Sequence, residues 1–269
     1  MIDVHTHLHP PRLFAAIRRW FAERSPWVIE HPTDPHEVAR VLRAYGVERF
    51  AFCSYAHKPG IARDLNAWLA ATARELGAGA LALATVHVDD ADPAVDMRDA
   101  LRDGCIGLKV HENVQRFELG DPRLAGALGA VADADGFVLV HVGAIPWSHD
   151  TNDGPSRIEA VLERHPRLRV VVAHFGVPDF ARYVALARRE PRLFLDTTMA
   201  FALESPMHAN VPRVLVESAS AQVVYGTDWP NIPYAYDGDL RGLRALGVNE
   251  NVLRAITSEN ARRLAPAFA

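Results

Sequence analysis

Short apolar and β-branched runs recur eight times along the chain, separated by stretches with helix-like spacing of their apolar residues. The runs are Ile2–His7, Arg49–Cys53, Leu81–Val88, Cys105–His111, Phe137–Val142, Leu168–His174, Leu193–Thr197 and Gln222–Thr227. Helical spacing is clear over Pro35–Tyr45, Ile61–Leu76, Pro122–Ala134, Ser156–Arg164 and Asp179–Arg189. Asp34 before Pro35, Asp121 before Pro122 and the Gly154-Pro155-Ser156 run supply start signals: a side chain for unbonded amides, and a proline at the first helical position. Strand–helix alternation repeated eight times predicts an α/β fold, a single parallel (β/α)8 barrel wrapped by helices, with residues 1–269 as one domain. The competing architecture is an open doubly wound sheet. No Gly-x-Gly-x-x-Gly turn follows a strand, which argues against its dinucleotide-binding version. The longest connection, Leu8 to about Thr33, carries His9, Trp20, Pro26, Trp27 and His31. It reads as a lid or pocket wall, or as a helix packed on the barrel rim.

The chemistry sits where the runs end. His5 and His7 stand two apart in the first run, so in a strand both imidazoles face one point. Neutral imidazole is a common ligand for zinc and its neighbours. The fourth run ends in Gly107-Leu108-Lys109-Val110-His111, the fifth in His141-Val142-Gly143, the sixth in His174-Phe175-Gly176 and the eighth in Gly226-Thr227-Asp228-Trp229-Pro230. Strand C-termini converge on one mouth of such a barrel. If His141 faces inward, so do Leu139 and Phe137; if Asp228 does, Gly226 also does and leaves room. One buried histidine is ordinarily a hydrogen-bonded core residue. Four, with an aspartate and a lysine at the same height, cost several kcal/mol to bury together unless a cation or mutual pairing compensates, roughly by the desolvation of each charge.

Composition narrows the partners. The formal net charge of −4 gives no global field toward nucleic acid. No apolar stretch has the length of a bilayer crossing, and no basic-then-apolar leader opens the chain, so neither a membrane nor secretion is expected and the cytoplasm is. Cys53 and Cys105 lie in apolar runs and read as buried free thiols.

The strand ends quoted above, in that order, resemble the amidohydrolase superfamily. The resemblance is greatest to its compact amidohydrolase-related (amidohydrolase 2) branch, which also holds the aminocarboxymuconate-semialdehyde decarboxylase and pyrone-dicarboxylate lactonase types. Ser258-Glu259-Asn260-Ala261-Arg262-Arg263-Leu264 resembles the last helix of that branch. The match runs the whole length. Because His5 stands almost at the N-terminus, the extra β-sandwich domain of many amidohydrolases is expected to be absent.

The resemblance implies roles. His5, His7, His141 and Asp228 would hold one divalent metal, Zn2+ first, with Mn2+, Fe2+ or Co2+ also fitting the donors. Such a cation brings the pKa of a bound water down toward ~7. Asp228 would accept the proton of that water, and His174 would act as a base or hydrogen-bond partner beside it. In binuclear members a carboxylated lysine at the end of strand four bridges two metals. Here Lys109, His141 and His174 would serve the second. One metal is the preferred arrangement, and an unmodified Lys109 must then lean away from it or meet a substrate anion. Lys109, His111, Arg116 and Trp229 are the candidate substrate contacts. Asp196 is expected to hold a backbone amide or a ligand histidine from behind. His9 and His87 read as rim or structural residues, and Trp147 and His149 as pocket wall or packing. The implied function is metal-dependent hydrolysis of an ester, lactone or amide-like bond in a small, carboxylate-bearing molecule. Decarboxylation on the same site is the alternative. A phosphoesterase or nuclease is third, since the nuclease branch resembling it has glutamate where Lys109 stands. The full ligand set argues against a protein that only binds, and apolar helix surfaces are compatible with a homodimer.

Overall fold

In the computed structural model, which describes residues 1–24, 27–143 and 153–269, eight parallel strands carry the chain. They are β1 (Ile2–His7), β2 (Arg49–Cys53), β3 (Ala80–Leu83), β4 (Gly107–His111), β5 (Phe137–His141), β6 (Arg169–Val172), β7 (Leu193–Asp196) and β8 (Val223–Val224). Two ladders run in chain order, β1-β2-β3 and β4-β5-β6-β7-β8. Backbone bonds cross both seams. Ile106 N donates to Ala82 O (2.9 Å) and Lys109 N to Ala84 O (2.8 Å); Val4 N donates to Tyr225 O (2.9 Å) and His7 N to Trp229 O (2.7 Å). The strand order therefore continues round into a barrel.

Six strands are shorter than their apolar runs, and β3, β6 and β8 stop well short of them. β3 stops at Leu83 because the Asn66 side chain, on the helix α3 (Ala62–Leu76), takes over the backbone of Thr85. Asn66 Oδ1 accepts from Thr85 N (2.8 Å) and its Nδ2 donates to Thr85 O (2.9 Å). β6 gives way at Ala173 to a tight turn. β8 keeps only two residues, since Tyr225 N is bonded to Ile256 O (3.0 Å) instead of a strand neighbour.

Alternation splits the strand residues into two layers. Ile2, Val4, Ala51, Leu83, Phe137, Leu139, Val171, Phe194 and Val224 fill the barrel, where Leu264 and Phe268 at the chain end join them. Val138, Val140, Val170, Val172, Leu195, Val223 and Tyr225 face the helices. The Phe137 and Phe268 rings meet at 5.9 Å. Each large apolar side chain so buried stabilises the fold by roughly 1.5–3 kcal/mol. The barrel is thus packed shut below and open above.

The first connection contains a helix, α1 (Pro11–Arg24), followed by α2 (Pro35–Ala44). Asp34 caps α2 by accepting from His36 N and Glu37 N, as its sequence position requires. Among the described residues no helix is long and apolar enough to cross a membrane. Trp147 and His149 lie outside the described residues.

Candidate metal centre

β1 brings His5 and His7 to the mouth, but not by plain alternation. Val4 belongs to the inner core, so an unbroken strand would turn His5 toward the helices. The pairing of β1 with β2 shifts register between Asp3 and Thr6, and that irregularity re-aims the two imidazoles inward. His174 and Asp228 likewise arrive through turns. Ala173 packs inside, and His174 follows it with φ 57°; Asp228 has φ 61°. A left-handed residue other than glycine costs of order 1–3 kcal/mol and persists where its surroundings over-determine it. Here the His174 amide donates to Asp196 Oδ1 (2.8 Å) and the Asp228 amide to His5 O (2.8 Å). Gly226 faces inward as expected: a Cβ there would lie 2.9 Å from His5 Cβ and 3.2 Å from Asp196 Cβ.

Three ligating atoms converge. His7 Nε2 is 2.5 Å from Asp228 Oδ1, His5 Nε2 is 3.4 Å from the same oxygen, and the two Nε2 atoms are 3.2 Å apart. His5 Nδ1 donates to Asp196 Oδ2 (2.8 Å), which fixes the tautomer and leaves the Nε2 lone pair pointing into the cluster. Lys109 Nζ donates to that Nε2 at 3.0 Å. The ammonium engages the lone pair that a cation would use, so this contact and a bound cation exclude one another.

His141 and His174 form a second pair, with His174 Nε2 2.8 Å from His141 Nδ1. Thr198 Oγ1 donates to Asp196 Oδ1 (2.5 Å) and stands 2.9 Å from His174 Nδ1. The proton-consistent arrangement is that His174 Nδ1–H donates to Thr198 and His141 Nδ1–H donates to His174. Asp196 thus supports both arms, His5 with one oxygen and the His174 turn with the other.

The electrostatics keep most of the rings uncharged. Burial, helped by the Lys109 ammonium, lowers His5 to about 4. Burial and then Lys109 hold His111 well below the usual histidine range. Burial also lowers His174. His7 is the exception: despite burial, the neighbouring Cys53 sulfur and the Asp228 carboxylate raise it to about 9. Asp228 is held well below the usual carboxylate range; burial opposes this, but the neighbouring His7 outweighs it.

This donor set fits a divalent cation. Two imidazole nitrogens and an ionised carboxylate oxygen crowd one point deep in the protein, with a hydrogen-bond partner behind each imidazole. Behind His7 the partner is Cys53, whose Sγ is 3.5 Å from Nδ1 and donates to Thr6 O at 3.3 Å. His5, His7 and Cys53 also bring ligating atoms within 4.8 Å of one another. The sulfur, however, faces the His7 nitrogen opposite the one that meets Asp228. We therefore assign Cys53 to orientation of His7 and not to ligation. The sequence marked it only as a buried thiol.

The cluster forms part of the lining of a cavity of about 770 Å3. Of the expected substrate contacts, Lys109, His111 and Arg116 line it. His111 stacks flat on His141 with centroids 4.1 Å apart. Arg116 is exposed and held at φ 61°. Trp229 is the correction: it is absent from the lining, and its buried ring packs on His31 (3.9 Å) and Tyr236 (5.8 Å) instead. Asp228 points inward, so its neighbour points away. His87 lines the cavity with Nδ1 accepting from Asp89 N (3.2 Å), while His9 is buried behind His7 against Ser54 Oγ (2.8 Å). Sequence reasoning missed Tyr55, whose ring lies 5.9 Å from that of His7. Its place two residues beyond β2 was the available signal. It also left open the face of α1, which does line the cavity.

Comparison with known proteins agrees with the fold. Over 289 aligned residues the chain is 26% identical to a 4-sulfomuconolactone hydrolase from Hydrogenophaga intermedia, covering 97% of this chain and 87% of that protein. A TIM-barrel protein from Bordetella bronchiseptica superimposes with TM-score 0.77 at 19% identity over 100% of this chain and 99% of that one. A 5-carboxyvanillate decarboxylase from Novosphingobium aromaticivorans, complexed with manganese and 4-hydroxy-3-methoxy-5-nitrobenzoic acid, superimposes with TM-score 0.66 at 14% identity over 98% and 95%. The amidohydrolase family model matches residues 2–266. With its eight-stranded barrel and the histidine–aspartate cluster at the barrel mouth, the chain belongs to the amidohydrolase family of enzymes.

Proposed function

We propose that the chain is a metal-dependent hydrolase that opens a lactone, ester or amide-like bond in a small carboxylate-bearing molecule. The observation that carries this is the convergence of His5 Nε2, His7 Nε2 and Asp228 Oδ1 within 3.4 Å of one another inside a substrate-sized cavity. His5, His7 and Asp228 would hold the cation, with His141 adding a further nitrogen. Zinc suits these donors best, and manganese, iron or cobalt also fit; the manganese in the decarboxylase neighbour supports a divalent ion. One ion is the arrangement proposed, with carboxylation of Lys109 as the route to a second. A cation held by these residues would supply Lewis acidity for a substrate carbonyl and for water near neutral pH.

The side chains do the rest. Asp228, ionised and facing the cluster, accepts a proton from the attacking water and returns it to the leaving oxygen. His174, neutral and steadied by Thr198, accepts from His141 Nδ1–H and so orients the His141 ring. Lys109 and Arg116 meet the substrate carboxylate, an ammonium as a point charge and a guanidinium as a fork. The lactone hydrolase relative supports hydrolysis over loss of carbon dioxide. The test is a panel of carboxylate-bearing lactones, esters and aromatic acids, read for both new acid groups and carbon dioxide. Ring-opened acid without carbon dioxide, lost on chelation and restored by Zn2+, is expected. Carbon dioxide release, or turnover that survives chelation, overturns the proposal.

A further inference from the structure

The two strands that present His5, His7 and Asp228 are clasped together by a further side chain. Asp3 lies on β1, is fully buried, and stands where the pairing with β2 begins to shift register. At such an irregularity a backbone group loses its ladder partner. Here the His5 amide finds another: Asp3 Oδ1 accepts from it at 3.0 Å. The side chain thus closes a small loop around the step that re-aims His5 and His7.

The other oxygen reaches across the seam between β1 and β8. Asp3 Oδ2 accepts from Thr227 Oγ1 (2.7 Å) and from the Tyr236 hydroxyl (3.1 Å). Thr227 is the residue before Asp228. Its hydroxyl also accepts from Trp229 N (3.2 Å), so one side chain grips the turn on both sides of Asp228. Tyr236 meets the Trp229 ring edge-on at 5.8 Å. On the backbone, His5 O accepts from Thr227 N (3.2 Å) and from Asp228 N (2.8 Å). Burying a carboxylate is costly, and an apolar side chain often serves a core as well. The bonds of Asp3 run to the segments that carry His5 and Asp228, and to the tyrosine packed on the second of them.

We propose that Asp3 is a positioning residue of the metal centre. It pins the β1 step to the β8 turn and so sets the gap between the imidazoles of His5 and His7 and the carboxylate of Asp228. Asp196 fixes the His5 ring, whereas Asp3 fixes the backbone that carries it and links that backbone to Asp228. The proposal rests on the metal site described under the proposed function.

The test uses the full chain with Zn2+ or Co2+ alone as the probe. Zn2+ affinity is read by competition with a chelator, and ligand geometry by the visible absorption of the Co2+ form. Asp3→Ala is expected to weaken Zn2+ binding about 10–100-fold and to alter the Co2+ spectrum. Thr227→Val, which cuts the link at its β8 end, is expected to shift both readouts in the same direction, and it carries the test if Asp3→Ala does not fold. Asp3→Asn keeps an acceptor for the His5 amide and offers its amino group to the two hydroxyls, so it should recover most of the loss. Leu264→Ala, a core truncation at the far end of the barrel, should change neither readout. Native affinity and spectrum in folded Asp3→Ala or Thr227→Val overturn the proposal. So does Asp3→Asn binding as weakly as Asp3→Ala, which would make the charge and not the bonds the cause. So does an equal loss in Leu264→Ala, which would reduce the effect to general destabilisation. A native chain that takes up neither ion overturns the metal site itself, and this role of Asp3 with it.

Discussion

The two ends of this barrel are built by opposite rules. At the closed end Ile2, Phe137, Val171 and Phe194 alternate regularly along their strands and pack with Leu264 and Phe268. At the open end the strands stop early, β1 slips register, and two functional side chains sit on left-handed residues. The first end gathers apolar surface and stabilises the fold. The second gathers charge, imidazole and strain, and is stable only because the first is. The same eight strands serve both purposes because regular pleating need hold only to mid-barrel.

Substitutions should separate the two ends. The largest effect is expected for Asp228→Asn, which keeps the size of the side chain and removes the proton acceptor. Turnover of any substrate found should fall about a thousandfold with little change in melting temperature; a drop below tenfold would show that Asp228 is not the proton carrier. Next, Asp196→Asn should weaken metal binding about 10–100-fold, read by competition with a chelator, because both the His5 tautomer and the His174 turn lose their anchor. At the closed end Leu264→Ala should cost about 2–5 kcal/mol of stability and leave metal affinity unchanged. Loss of metal affinity there would mean the ends are coupled. A smaller effect is expected of Cys53→Val, which removes the sulfur from His7 Nδ1: severalfold weaker metal binding, with partial rescue in Cys53→Ser.

The last effect concerns pH. Burial pushes Asp239 up to about 7 from an ordinary 3.8, in spite of the amides of Phe201 and Ala202 that it accepts. Its folded form thus keeps a proton that the unfolded chain gives up, and stability is lost as pH rises from about 4 to about 7. Asp239→Asn has no such proton to release. The melting temperature of the native chain should fall relative to the variant across that interval and run parallel above it; a constant offset would show that Asp239 is ionised in the fold.

The closed end was largely legible from the residues alone. Phe137 and Leu139 inward with Val138 and Val140 outward follows from period-two alternation, and β1 and β2 end where their runs end. The open end was legible as a set of residues and not as a path. His5, His7, Lys109, His141, His174 and Asp228 all reach the cavity, since residue type and strand position select them. The register shift before His5 and the turns at His174 and Asp228 depend on contacts between distant strands. Asn66 standing in for a strand neighbour of Thr85 depends on a helix packed against β3. Trp229 was misplaced for a related reason: fixing the Asp228 backbone constrains its neighbour to the opposite side.

One carboxylate has a consequence for any attempt to redesign this enzyme. Asp196 spans His5 and the backbone of His174 with separate oxygens, so its reach is as constrained as its charge. A glutamate would keep the ionisation and add a methylene, and neither bond could then keep its length unless the other yielded. Length, not acidity, makes this position unforgiving, and engineering that starts by retuning it would disturb two arms to adjust one.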